Sequence, residues 1–212
     1  HTYAGRTSTS LRGDYSSGGT YQVENQNSDG TKTVSHYEKW RLVLVEKFAS
    51  NGALRETESY QYDGLGALLK VINSRTGTTT YSYDSKRRLQ QINPSDPCKG
   101  AVRYVYYGDT DRVASRRNSD GTTTSYDYYP NGLLKREYNL GSYDISYEYD
   151  GQGRKTAMIT RRDGTLVRTE WSYASDTGLL EQKRINGVPV ETYAYRDNGQ
   201  IASVTDANGI NA

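Results

Sequence analysis

The sequence is short of the residues that fill an ordinary core. Its 212 residues hold one Phe, one Met and two Trp, and only 33% are hydrophobic. A core built mainly from Leu, Ile and Phe at normal packing density is therefore excluded. The single cysteine, Cys98, excludes an internal disulfide framework and a multi-thiol zinc site, and leaves open a bond to another chain. No apolar run approaches about 18 residues, and the mean hydropathy is −0.90, so no membrane-spanning helix and no membrane insertion are expected. One-sided charge is lacking too: 27 basic and 25 acidic residues, interspersed, leave +2, which argues against nucleic acid as a partner. The chain starts at His1 with neither an initiator Met nor an apolar leader, and reads as a processed form or an excised fragment.

Tyrosine and glycine are abundant, 21 of each. Tyr must supply much of the buried area, and each buried hydroxyl then needs a partner. The aromatic residues recur in pairs: Tyr60/Tyr62, Tyr81/Tyr83, Tyr104/Tyr106, Tyr126/Tyr128, Tyr147/Tyr149, Trp171/Tyr173 and Tyr193/Tyr195. Their first members are 21 to 24 residues apart. A spacing of two puts both rings of a pair on one face of a strand. The constant step identifies a repeat protein.

Each pair leads into a turn and then into aliphatic residues, as in Tyr62-Asp63-Gly64-Leu65-Gly66-Ala67-Leu68 before Val71. A second turn closes the unit, as at Asp120-Gly121, Asp163-Gly164 and Asn186-Gly187. Such dipeptides tolerate the positive φ of tight hairpins. The reading is an all-β antiparallel meander of about eight repeats of roughly 22 residues, two strands each, winding as a solenoid or partial shell. No window keeps a 3.6-residue period, so almost no helix is expected. Leu89 and Ile92 break strict alternation. They need either a bulge between them or a strand buried on both sides.

Tyr-x-Tyr-Asp-x-x-Gly-x-Leu-x-x-Val at Tyr60 to Val71 resembles the YD repeat of the RHS family. Tyr147 to Arg154 is nearly as close, with Lys155 at the usual Leu position. The resemblance covers residues 59–209. Residues 59–212 read as the regular repeats, residues 21–58 as degenerate repeats, and residues 1–20 as a polar N-terminal segment. The resemblance implies a broad β-strip, wound in large relatives into a shell around a toxin and used for adhesion in teneurin-like relatives. About eight repeats are too few to close such a shell, and nothing here resembles the family's self-cleaving junction or a toxin domain.

The last repeat, Tyr193 to Asn208, has no polar cap, and an uncapped β edge invites pairing with another chain. The leading expectation is an extracellular or cell-surface structural protein whose copies join end to end into a fibre. In that reading the N-terminal segment, with Tyr3 and Leu11, is donated as a strand to the next copy. The alternatives are a piece of a toxin-enclosing shell, and an adhesion or carbohydrate-binding module.

Catalytic chemistry finds little support. His1 and His36 could together make a copper site with the terminal amine, but nothing else fits, so no metal and no cofactor are expected. Asp109 and Asp111 are too few for a calcium loop and read as turn acids. Arg12-Gly13-Asp14 matches a cell-adhesion tripeptide of a length that chance often produces. No Ser-His-Asp or Cys-His set and no phosphate loop are present, so an enzyme is not expected. The Tyr rows, with Trp40 and Trp171, could stack on sugars. The fold's own need for apolar area makes them its core instead.

Overall fold

The computed structural model describes residues 8–14, 19–140, 143–162 and 164–209, and among these every regular element is a β-strand. Two compact units divide the chain. One runs to Tyr104 and takes in Asn118–Gly121, and the other holds Val105–Arg117 and the residues from Thr122 on.

The first unit is a meander of β1 (Ser8–Asp14), β2 (Thr20–Gln26), β3 (Lys32–Glu38), β4 (Arg41–Phe48), β5 (Leu54–Tyr62), β6 (Leu68–Asn73), β7 (Gly77–Tyr83) and β8 (Leu89–Pro94). It ends on the start of β9 (Val102–Tyr106). The second carries β10 (Val113–Arg117), β11 (Thr123–Tyr128), β12 (Leu134–Asn139), β13 (Tyr143–Tyr149), β14 (Lys155–Arg162), β15 (Thr165–Tyr173), β16 (Leu180–Ile185), β17 (Val188–Tyr195) and β18 (Ile201–Asp206). Within each unit the strands pair antiparallel with their neighbours in sequence.

A bulge recurs after the aromatic pairs and fixes which side chains share a face. Tyr81 lies opposite Ile92 and Tyr83 opposite Leu89, with the register shifting between Ser82 and Tyr83. Gln90 is the extra residue, and it returns Leu89 and Ile92 to one face. The shift repeats at Gln61/Tyr62, Asp127/Tyr128, Glu148/Tyr149, Ser172/Tyr173 and Ala194/Tyr195. It occurs at His36/Tyr37 and Lys47/Phe48 as well, so β3 to β5 follow the same plan although their sequence departs from the repeat. The bulge adds local twist and stops the aliphatic residues from rotating off the tyrosine face.

The meanders bury little. Val34, Val45, Ala49 and Ala157 are the buried apolar residues among those described, and no large side chain is fully enclosed. Within each unit the close strand contacts run between sequence neighbours, and no large described side chain is fully buried, as in a sheet with little covering its faces.

The N-terminal expectation needs correcting. β1 forms a full ladder with β2 of its own chain, from Ser8 opposite Gln26 to Asp14 opposite Thr20, and Leu11 lies opposite Val23. Residues 15–19 tether the two strands, which gives the internal partner a far higher effective concentration than another molecule's edge. The segment is therefore paired in cis here, not donated. Tyr3 lies outside the described residues.

Candidate functional site: the tyrosine face and its turns

All seven aromatic pairs lie on one face of their strands, half-buried: Tyr60/Tyr62, Tyr81/Tyr83, Tyr104/Tyr106, Tyr126/Tyr128, Tyr147/Tyr149, Trp171/Tyr173 and Tyr193/Tyr195. The second ring of a pair has a fixed task. Tyr62 Oη donates to Leu42 O (2.9 Å), Tyr83 to Leu68 O (2.8 Å), Tyr128 to Val113 O (3.1 Å), Tyr149 to Leu134 O (3.0 Å) and Tyr173 to Lys155 O (2.8 Å). Leu68 is itself opposite Tyr62, Leu134 opposite Tyr128 and Lys155 opposite Tyr149. Tyr83, Tyr149 and Tyr173 thus tie their strands to the carbonyl that faces the second ring of the repeat before. Phe would bury the same ring without this tie.

The first rings meet carboxylates. Tyr60 Oη donates to Glu58 Oε2 (2.6 Å), Tyr147 Oη to Glu137 Oε1 (3.3 Å), and the Tyr193 hydroxyl to Glu191. Burial, with help from Glu137, pushes the Tyr147 phenol up to about 12. The hydrogen bond to Glu191, and then burial, push Tyr193 up to about 12. Burial and the Glu58 bond raise Tyr60 further. These hydroxyls stay protonated, as their role as donors requires.

The turns after five of the seven pairs, and the turn at Ala49, are built in one of two ways; those starting at Tyr107 and Ala174 use Thr110, and Asp176 with Thr177, instead. Asp63 Oδ1 accepts the N–H groups of Leu65 (2.9 Å) and Ala67 (2.8 Å). Asp84 does the same for Lys86 and Arg88, and Asp150 for Gln152 and Arg154, each at 2.9 Å. Where Ala49, Tyr129 or Arg196 replaces this aspartate, an asparagine two residues on takes over. Asn51 Oδ1 accepts from Ala53 (3.1 Å), Asn131 from Leu133 (3.1 Å) and Asn198 from Gln200 (3.0 Å). The backbone closure is shared: Asp63 N–H donates to Ala67 O, as Tyr129 N–H does to Leu133 O, both at 2.9 Å.

Arginines reach between turns. Arg112 lies over the Tyr128 ring at 5.9 Å, and Arg154 over Tyr173 at 4.5 Å while donating to Gly178 O at 3.1 Å. Arg112 comes so near the next turn that a Cβ on Gly132 would stand 2.9 Å from its Nη2. Gly132 has φ +92°, which is what favours glycine there, while the flexible Arg112 end can move aside for a Cβ. Tyr107 and Tyr129, in the aspartate position, place their rings edge-on to Tyr128 and Tyr149. Their hydroxyls donate to Tyr126 O (2.8 Å) and Tyr147 O (2.9 Å).

The opposite face differs between the units. In the second it holds ion pairs: Arg136 with both oxygens of Asp144 at 2.7 Å, and Arg168 with Glu148 (2.8 and 2.9 Å) and Glu170 (3.0 Å). The Arg136 and Arg168 bonds hold the Asp144 and Glu148 carboxyls below the ordinary carboxylate range. In the first it carries mostly uncharged polar residues on β5 to β8, among them Ser59, Gln61, Thr80, Ser82, Gln91 and Asn93.

The remaining candidates are scattered. His36 Nε2 lies 2.8 Å from Glu46 Oε2, and His1 is outside the described residues. Asp109 and Asp111 sit in the connection between β9 and β10, and no metal-ligand cluster occurs among the described residues. Arg12-Gly13-Asp14 belongs to β1, and Cys98 is free and exposed. Trp40 is 61% exposed in the two-residue β3–β4 turn, and Trp171 lies within β15. A cleft of about 340 Å³ by Tyr129, Leu133 and Tyr149 is open and gathers no catalytic set.

Sequence reasoning placed the rings and missed the Arg–turn contacts and the exchange of Asp for Asn. The recurrence of Arg just before the aliphatic position, as in Arg88-Leu89 and Arg112-Val113, was the available signal.

The profile of the Teneurin YD-shell family matches residues 6–170. The tRNA nuclease WapA of Bacillus subtilis (strain 168) is 27% identical over 178 residues, covering 73% of this chain and 7% of its own length. Teneurin-3 of Mus musculus is 31% identical over 114 residues, 48% of this chain and 4% of its own. The chain thus spans less than a tenth of either relative. The crystal structure of TcdB2-TccC3-Cdc42 aligns with 88% of this chain and 17% of its own, at 12% identity and a TM-score of 0.25.

Proposed function

Because this chain belongs to the Teneurin YD-shell family, we propose that its meanders are wall sections of a secreted or cell-surface β-shell that shields an enclosed polypeptide. The observation that carries this reading is the uncovered layer. Half-buried rings line one face, and within each unit no large described side chain is fully covered. A wall needs such a sheet, stiffened along its length by the tyrosine–carbonyl ties and open to contents on one side. In this reading the chain performs no chemistry of its own, and any toxic activity belongs to what is enclosed, as the nuclease name of the WapA relative suggests.

Reduced, carboxymethylated lactalbumin serves as an unfolded probe for the test. Trypsin should digest it several-fold more slowly in the presence of residues 1–212 than with an equal mass of serum albumin. An unchanged rate would show that the open face of this section does not engage an unfolded chain, which the wall reading requires of it.

End-to-end fibre assembly is the second reading. It is favoured by β17 and β18, which pair from Glu191 opposite Asp206 to Tyr195 opposite Ile201 across the usual bulge. With β1 engaged in cis, joining would have to run edge to edge. Filaments in electron micrographs would support it, and a monodisperse monomer by light scattering would exclude it.

A further inference from the structure

The hairpin ends of the second unit that lie away from the aspartate turns carry an apolar edge that the fold leaves in water. Leu140, in the β12–β13 connection, is 94% exposed. Leu166 is 50% exposed at the tip of the β14–β15 hairpin, and Ile185 faces Val188 at the tip of β16–β17, where Val188 is 61% exposed. In a meander every second connection returns to the same side, so neighbouring tips are two strands, about 10 Å, apart. Left exposed, these side chains add nothing to the fold's own burial, and their recurrence on successive tips along one edge marks a candidate contact surface.

Register shows what kind of contact. Ile185 lies on the tyrosine face, two residues beyond Lys183, which is opposite Trp171. Leu166 pairs with Arg161 and lies on the other face. A folded partner docking on one face would leave the other side chain wet. A medium that receives the edge end-on covers both.

The same edge is basic. Arg116 and Arg117 close β10, Arg161 lies near the end of β14 and Arg184 near the end of β16, all exposed. Of the acids nearby, Asp144 is occupied by both donors of Arg136, Asp206 closes β18, and Asp120 lies exposed in the β10–β11 connection. Asp163 follows Arg162 in sequence.

We propose that this edge docks on an anionic lipid surface. Leu140, Leu166, Ile185 and Val188 enter the headgroup–acyl boundary, and the arginines meet the lipid phosphates. The contact is peripheral and does not cross the bilayer, so it is independent of the wall reading.

Sedimentation of the full chain with phosphatidylcholine vesicles, with and without phosphatidylglycerol, tests it. Binding is expected only to the anionic vesicles, weakening as salt screens the charges. The Leu140→Ser/Val188→Ser double variant should partition at least about tenfold less. Leu65→Ser, which alters an equally exposed tip on the aspartate-turn side of the first unit, should bind as the parent does. Failure to sediment with anionic vesicles overturns the proposal. So does an undiminished double variant, or an equal loss in Leu65→Ser.

Discussion

The chain's near-exclusive use of Tyr over Phe has its reason in single atoms. The second ring of a repeat supplies apolar area, and its hydroxyl holds a carbonyl of the preceding repeat. Tyr149→Phe keeps the ring and leaves Leu134 O without this donor. Chemical denaturation should show a loss of about 1 kcal/mol. Tyr195→Phe is the contrast: no hydroxyl bond forms at Tyr195 among the described residues, and its loss should be near zero. Equal effects would mean that the hydroxyl ties contribute nothing beyond the ring. The ring positions were legible in the sequence, because a spacing of two assigns a face before anything else is known. The hydroxyl's acceptor was not, since it lies 15 to 20 residues away and no local rule names it.

At the scale of the element, the turns come in two chemistries that respond differently to acid. The Arg88 hydrogen bond and the turn N–H groups hold Asp84 below the ordinary carboxylate range. The Ala67 N–H, and then Arg87, do so for Asp63. Burial works in the opposite direction at Asp150 and is outweighed by Arg154 and the turn N–H groups. A carboxylate depressed on folding stabilises the fold above its unfolded pKa, near 4, and that contribution is lost as pH falls through the folded value. The asparagine turns at 49–53, 129–133 and 196–200 have no such proton to take up. Hydrogen exchange at pH 3 compared with pH 6 should show the Leu65, Ala67, Lys86 and Arg88 amides losing protection ahead of Ala53, Leu133 and Gln200. Uniform loss in both sets would refute the distinction.

Element order was readable from turn dipeptides and Tyr spacing, and the irregular Leu89/Ile92 spacing already called for a bulge or a doubly buried strand. The structure supplies the bulge. The β3–β4 turn was not readable. Lys39 and Trp40 both take positive φ, at 50° and 64°, without the Asn or Gly that announces such a turn. Register on either side, with Glu38 opposite Arg41, imposes it.

For the whole molecule, stability is distributed along the repeats because no closed core concentrates it. Tyr147 and Tyr193 titrate near 12 in the fold, against about 10 for an unfolded tyrosine. Groups raised on folding contribute fully below the unfolded pKa, and the contribution fades as pH climbs through the folded one. Between about pH 10 and 12, phenolate absorbance and loss of β-sheet circular dichroism should therefore rise together. Phenolate formation that is complete while the sheet signal is intact would show that the hydroxyls are dispensable. The architecture as a whole was legible from the repeat. The contents of a shell were not, because a wall carries no imprint of its cargo in its own periodicity.

The recurring bulge has a consequence for how such chains change length over generations. A duplication that copies from one bulge to the next returns every later side chain to its own face, whatever the step between 21 and 24 residues, because the surplus is absorbed in the connections. A single-residue insertion inside a strand would instead turn the rest of that strand over. Genes of this kind can therefore lengthen or shorten by whole repeats with little penalty, while point insertions within strands are purged.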